Sequence, residues 1–397
     1  MQIRQRIAAC LLTLSLMASA GCAAQTQEAA QTPAASDTQS EQAAAPAAPV
    51  TPGEDITRST SGVEPDAVIA TLDGNEAPAE LLTYQIGYCC AYLNYMLQSN
   101  GMAGLDLSAD LPDGQNTAQY VYDESVEMLK QQLVLENLTA QYGVTLSAED
   151  EAAIAQQRAS DIAEYGEDGY REELRKLGLS EAGYERVVRA SYLYRALQTF
   201  TEAPDSPLYT SDEALADFAA AQGYITADHI LLPTIDSATR QPLSEEEAAA
   251  NRALAADLLA QLRASDDPVA LFQTLADEYS QDPGRAANPT GYTFAEGEMV
   301  TEFDAAARAL EENAISDVVE STYGCHIILR RPLDAAAAAE AVRGSYFDSF
   351  FLDAVSSAEM TLSPDAARLD VAAIYDAIAA AQADGAADSS QENPFAP

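Results

Sequence analysis

Asp228-His229-Ile230-Leu231-Leu232 and Gly324-Cys325-His326-Ile327-Ile328-Leu329 carry the only two histidines of a chain of 397 residues. Each is a short apolar run rich in Ile and Leu, bounded by turn formers, and each reads as a buried strand. A single histidine on a strand is most often a packed core residue. Two of them, on matching strands of one small unit and nowhere else, point to a shared site. Side chains alternate along a strand, so His326 and Cys325 face opposite ways.

The sequence between these strands completes a unit over 222–333. Ser244 and Glu247 form a capping box ahead of a helix with Leu254, Leu258, Leu259 and Leu262. Residues 268–279 form a second helix, which Asp282-Pro283-Gly284 ends. Gly291-Tyr292-Thr293-Phe294 is a short strand, and a helix runs from Glu302 to Leu310. Ile315 to Glu320 and Cys325 to Arg330 are strands joined at Tyr323-Gly324. This order of strand, helices, strand, helix, strand and strand predicts an α+β unit.

In order along this unit stand the His-Ile-Leu strand, Tyr279-Ser280-Gln281-Asp282-Pro283-Gly284, Gly297-Glu298-Met299-Val300-Thr301-Glu302-Phe303 and Tyr323-Gly324-Cys325-His326-Ile327-Ile328. These motifs resemble the parvulin family of peptidyl-prolyl isomerases, whose domain has an FKBP-like fold. The resemblance implies that His229 and His326 pack side by side in a site floor. It places Asp282 at the family's Asp or Cys position, and it gives Met299 and Phe303 to the walls of a proline pocket. Asn288-Pro289-Thr290-Gly291-Tyr292-Thr293-Phe294 departs from the family's Gly-Gly-Asp-Leu-Gly-x-Phe. The pocket leucine is missing, and Tyr292 is assigned to the pocket in its place; Phe294, which matches the family's phenylalanine, is assigned to substrate binding. The basic cluster of phosphate-selective relatives is also missing. Pro233 to Glu247 offers only Arg240 against Asp236, Glu245, Glu246 and Glu247, so no preference for phosphoserine-proline is expected.

The implied reaction suits these residues. Amide resonance sets a rotation barrier of ~18–20 kcal/mol, and uncatalysed X-Pro exchange takes roughly tens to hundreds of seconds. No bond need be made. An apolar pocket grips the ring, while polar groups favour the twisted amide over both planar forms. His229, Asp282 and His326 are therefore the expected catalytic set, with no cofactor. Rival roles are a Cys325 nucleophile, which would have to meet a histidine on the opposite strand face, and zinc held by His229, His326 and Asp282. No paired-cysteine or helix-spaced ligand motif supports the latter, so no metal is expected. An inactive parvulin domain with purely structural histidines stays open.

Outside the unit, Arg4, Arg6 and the apolar stretch Ile7–Ala20 form a signal peptide over 1–21, too short for a mature membrane span. Cys22 follows small residues, as at a bacterial lipidation site, so a diacylated Cys22 is expected to anchor the chain outside the cytoplasmic membrane. Residues 23–62, rich in Ala, Gln, Thr, Ser and Pro and without an aromatic, read as a disordered tether. Residues 63–205 read as mostly helical after a strand at Val68–Leu72 with an Asp73-Gly74 turn. Tyr84, Tyr88, Tyr92 and Tyr95 line one helix face, either as core or as an aromatic surface for unfolded clients. Residues 334–380 read as a helical C-terminal region packing on the N-terminal one, and 383–397 as a disordered tail. The flanks are similar, more weakly, to the chaperone part of extracellular foldase lipoproteins (PrsA-like). The simplest architecture inserts the α+β unit in a mostly α-helical domain.

The balance of 63 acidic against 20 basic residues excludes nucleic acid as a partner, because a duplex binder needs a basic footprint. Cys89, Cys90 and Cys325 read as buried free thiols. The function expected is a prolyl isomerase and chaperone acting on unfolded secreted proteins with X-Pro bonds. The alternative is a holdase whose parvulin domain binds proline segments without isomerising them. A solute-binding lipoprotein explains the anchor but not the ordered motifs. Homodimerisation is left open by the sequence.

Overall fold

The computed structural model describes residues 55–388. The signal segment, Cys22, the tether as far as residue 54 and the tail from residue 389 lie outside the described residues. The chain divides into two compact units: the residues up to Phe200 together with those from Phe350 onward, and Thr201–Ser349.

The first unit opens with a helix, α1 (Ile56–Ser61), capped by the Asp55 side chain on the Arg58 N–H. Its buried Ile56 corrects the tether expectation: an anchored apolar residue ends that segment earlier than residue 62. Strands β1 (Val68–Leu72) and β2 (Asn75–Pro78) form a hairpin with Leu72 paired to Asn75. Asp73 and Gly74 both have positive φ, 50° and 85°, the geometry of a two-residue hairpin turn that matches strand twist. Helices α2 (Ala79–Ser99), α3 (Thr117–Tyr142), α4 (Ala148–Arg175) and α5 (Glu181–Glu202) follow. Gly143 ends α3 in the left-handed conformation at φ 67°, and Ser147 and Asp150 cap α4 reciprocally.

The second unit is built on an antiparallel sheet in the order β4-β3-β6-β5. Its strands are β3 (Ile225–Pro233), β4 (Tyr292–Phe294), β5 (Val319–Glu320) and β6 (Gly324–Arg331). Helices α7 (Glu245–Ala264) and α8 (Pro268–Tyr279) cover one face. There Leu258, Leu262, Phe272 and Leu275 pack on Ile230, Leu232, Cys325 and Ile327. Helix α9 (Thr301–Ala309) covers the other, with Phe303 and Ala307 against Ile225, Ala227 and Ile328. The α+β class with its antiparallel sheet is as expected. The strand expected over Ile315–Glu320 is shorter, because only Val319 and Glu320 pair in register while Ile315 makes an isolated bridge to Leu329.

A helix not anticipated, α6 (Asp212–Ala221), precedes β3. It packs Leu215, Ala216 and Ala219 on Ala338, Ala339 and Val342 of α10 (Ala335–Ser357). This corrects the expectation for 334–380, since that region through Ser349 belongs to the second unit. The remainder returns to the first unit. Strand β7 (Thr361–Leu362) pairs with β1 at Thr71 and Ala70, and α11 (Val371–Asp388) extends past the expected start of the tail at 383. Among the described residues no helix is long and apolar enough to cross a membrane.

Candidate active site

Strands β3 and β6 pair antiparallel, with His229 opposite Ile328 and Leu231 opposite His326. The histidines are thus diagonal neighbours on one sheet face, within reach of each other. Their rings stack at 5.2 Å with planes 25° apart, and the two Nδ1 atoms stand 3.1 Å apart. The Ser321 Oγ lies 2.7 Å from His326 Nε2. On the far side, His229 Nε2 is 3.2 Å from Asp282 Oδ2, within ion-pair reach though off the line of a good hydrogen bond.

Asp282 reaches this position because the segment after α8 runs along the edge of β3. The Leu231 N–H donates to Ser280 Oγ at 3.1 Å, and the Gln281 N–H donates to the Leu231 carbonyl at 2.8 Å. The carboxylate then accepts the Gly284 N–H at 3.0 Å and the Tyr292 hydroxyl at 2.5 Å. Two glycines make room for this. A Cβ at Gly284 would lie 2.1 Å from the Tyr292 hydroxyl, and one at Gly291 (φ 102°) would lie 2.5 Å from the Ala227 carbonyl oxygen.

Charge in the site is biased. Burial alone would raise the Asp282 carboxyl, but the close His229 ring and the hydrogen bonds from the Tyr292 hydroxyl and the Gly284 N–H outweigh it and hold the pKa down to about 2. Burial, helped by His229 and opposed by Asp282, lowers His326 to about 4, so that ring is neutral at neutral pH. Burial and the Asp282 charge push the Tyr292 hydroxyl up. With the His326 ring neutral, one arrangement of ring protons suits every neighbour. Ser321 donates to His326 Nε2, His326 Nδ1–H donates to His229 Nδ1, and His229 Nε2–H points toward Asp282. This assignment is inferred from the partners, as heavy atoms alone do not place the protons.

Aromatic rings wall the row. Phe303 meets His229 edge-on at 5.2 Å and His326 at 5.5 Å, and Tyr292 meets His229 at 5.9 Å. Met299 packs half-buried on the same cluster. Phe294 is 1 % exposed and lies 5.8 Å from Phe303. It sits one layer deeper than the sequence assigned it, because it belongs to the core with Ile225 and Ala227. Of the expected residues, His229, His326, Asp282, Tyr292, Met299 and Phe303 come together.

The buried Cys325 sits on the opposite face with Ile230 and Leu232, and burial pushes its thiol up, so it does not meet His326. Among the described residues no three His, Cys, Asp or Glu converge as metal ligands. Sequence reasoning missed Ser321, which needs the β5–β6 register to be placed. It also missed Asp228, although a carboxylate inside an apolar strand was a visible signal. Asp228 is buried between Arg285 and Arg331, at 2.9 and 2.8 Å.

Residues 229–331 match the rotamase family, described as the PPIC-type PPIASE domain. Foldase protein PrsA of Halalkalibacterium halodurans is 48% identical over 77 residues, 19% of this chain and 22% of that protein. Chaperone SurA of Shewanella frigidimarina is 36% identical over 115 residues, 28% of this chain and 24% of that protein. The crystal structure of foldase protein PrsA from Lactococcus lactis aligns with 79% of this chain and 99% of its own at 16% identity, with a TM-score of 0.26. The chain spans about a fifth of the length of the curated relatives it matches first, 22% and 19%.

Proposed function

We propose that this chain, which carries a parvulin-type domain at residues 229–331, is a peptidyl-prolyl cis–trans isomerase and chaperone for proteins exported across the cytoplasmic membrane. The observation that carries the reading is the row Ser321, His326, His229 and Asp282, set beside Phe303, Met299 and Tyr292 on one sheet face.

In this reading Met299, Phe303 and the Tyr292 ring grip the proline, and Phe294 supports Phe303 from behind. His229, His326 and Asp282 are the catalytic residues. Twisting the amide removes its resonance, so the carbonyl loses part of its negative charge and the proline nitrogen becomes a better acceptor. The ionised Asp282 disfavours the planar, carbonyl-polarised amide and favours the twisted one. The His229 ring stands against that carboxylate, and the neutral His326 behind it adds no positive charge that would cancel it. Because the dipoles are fixed before the substrate enters, no reorganisation is spent at the moment of rotation. The Asp236 carboxylate, tied to the Thr239 and Ala238 N–H groups, supplies no cation for a phosphate. Peptides with phosphoserine before proline are therefore not preferred.

The chaperone half of the reading is supported by the far end of α2. Tyr84 and Tyr88, nearer its start, are buried, whereas Tyr95 and Met96 at that end are 37% and 39% exposed and Met102, just beyond it, is 55% exposed. The stripe thus runs from core to surface, and its outer end offers flexible apolar side chains. No Lys or Arg occurs between Arg58 and Lys130, which suits clients that bring their own positive charge. A diacylated Cys22 would hold the chain at the outer face of the membrane.

The test is refolding of an unrelated protein whose slow phase is an X-Pro isomerisation. Acceleration by the full chain is expected at about one-hundredth of the client concentration. Acceleration that appears only at equimolar chain would favour the holdase reading.

A further inference from the structure

We propose that Arg285 is a positioning residue that holds the Asp282 carboxylate against His229 by gripping the buried Asp228 on the opposite face of β3. The kinetic consequence rests on the isomerase reading; the structural consequence does not.

Neighbouring residues of a strand point to opposite faces. His229 points to the face covered by α9, and Asp228 to the face covered by α8. The turn that follows α8 crosses the edge of β3 between them and sends one side chain to each side. Asp282 goes to His229, at 3.2 Å. Three residues on, Arg285 goes to Asp228, with Nη1 2.9 Å from Oδ1. Its Nη2 is 2.6 Å from Asp277 Oδ1 on α8. The turn therefore straddles the strand.

Asp228 is the fixed point. Its Oδ1 also accepts the backbone N–H of His229 at 2.8 Å, and its Oδ2 accepts from Arg331 Nη2 at 2.8 Å. One carboxylate thus sets both the backbone that carries His229 and the guanidinium that anchors the turn bearing Asp282. The Asp228 and Arg285 side chains are 2% and 12% exposed, so water does little to screen the pair. Arginine is needed because two carboxylates are engaged at once through one planar fork, which the point charge of lysine cannot match. Losing Arg285 frees the turn from Asp228 and from Asp277 together, and leaves Asp282 held by the Ser280 and Gln281 bonds to β3 and by the Tyr292 hydroxyl of β4.

The two histidines are the only ones in the chain, so selective ¹⁵N-histidine labelling of the full chain yields signals from these two rings alone. The variants are Arg285→Gln, Arg285→Lys and the double variant Asp228→Asn with Arg285→Gln. The double variant removes the Asp228 and Arg285 charges together, so neither faces a missing partner; Arg331 keeps its hydrogen bond to Gln273 and Asp277 is exposed to water, which keeps the test valid if the single changes prevent folding. In the folded double variant the His229 Nε2 signal is expected to move toward that of an imidazole with no carboxylate beside it. In Arg285→Gln, or in the double variant where the single change does not fold, kcat on a proline tetrapeptide should fall at least tenfold with KM within twofold. Lysine should recover only part of the loss. A folded double variant with wild-type His229 signals and wild-type kcat would overturn the proposal. If the wild-type chain catalyses no exchange, the isomerase reading fails, and the His229 signals still decide whether Arg285 positions Asp282.

Discussion

His326 is a buried imidazole whose neighbours keep it uncharged, and that has a consequence for pH. In the unfolded chain its pKa is the ordinary 6.5, and in the folded chain it is about 4. As pH falls below 6.5 the unfolded state takes up a proton that the folded state refuses, so stability is lost between pH 6.5 and 4. The contribution of His326 between pH 7 and pH 5 is on the order of 2 kcal/mol. Urea unfolding of the full chain at the two pH values should show this loss, and a folded His326→Leu variant should lack it. Asp282 has the opposite sign. Its pKa is held down to about 2 against the ordinary 3.8, so its stabilisation is full above pH 3.8 and disappears as pH falls toward 2. At this scale His229, Asp282 and His326 were legible because their motifs are local in sequence. The roles of Tyr292 and Asp228 were not. Tyr292 was read as a pocket wall, yet its hydroxyl also holds the Asp282 carboxylate, a bond that exists only once β4 lies beside the turn.

Among the elements, helix starts were the most legible features. Ser147 with Asp150 and Ser244 with Glu247 each form the reciprocal cap that their spacing predicts. Both boxes satisfy backbone N–H groups that a helix cannot satisfy itself. Ser244→Ala should therefore cost about 1 kcal/mol, read as a lower thermal midpoint for the second unit. No cost at all would mean that α7 is held by Leu258 and Leu262 in the core alone. Helix α6 escaped notice because its buried face is mostly alanine, Ala216 and Ala219 beside a single Leu215. Small residues give a weak hydrophobic period, and they face an equally small surface of Ala338 and Ala339. The strand at Ile315 was overextended because an apolar run reads as a strand whether or not a partner strand continues beside it.

For the whole molecule, the first unit is discontinuous in sequence. Its sheet is completed by β7, and α11 packs on α2, so its core needs residues from both ends of the described chain. A chain ending after Ser357 would lack both elements. Leu72, Ile69 and Leu82 are buried in that unit, together with Ile374 of α11, and burying each such side chain stabilises by roughly 1.5–3 kcal/mol. The truncated chain is expected to lose the helical signal of the first unit while the two histidine resonances, both from the second, stay at their folded positions. Loss of both together would mean that the units do not fold separately. The strong negative charge was legible from composition and excluded nucleic acid. The early end of the tether at Ile56 was not, because a lone isoleucine in a polar stretch gives no period to read.

The row of Asp282, His229 and His326 is proposed to speed rotation about X-Pro bonds. This is tested most directly by the rate of cis–trans exchange in a proline tetrapeptide, measured with the full chain and with Asp282→Ala. Clear acceleration is expected from the wild-type chain, with a loss of at least tenfold, about 1.4 kcal/mol or more in transition-state stabilisation, in the folded variant. Equal acceleration by the two proteins would contradict it.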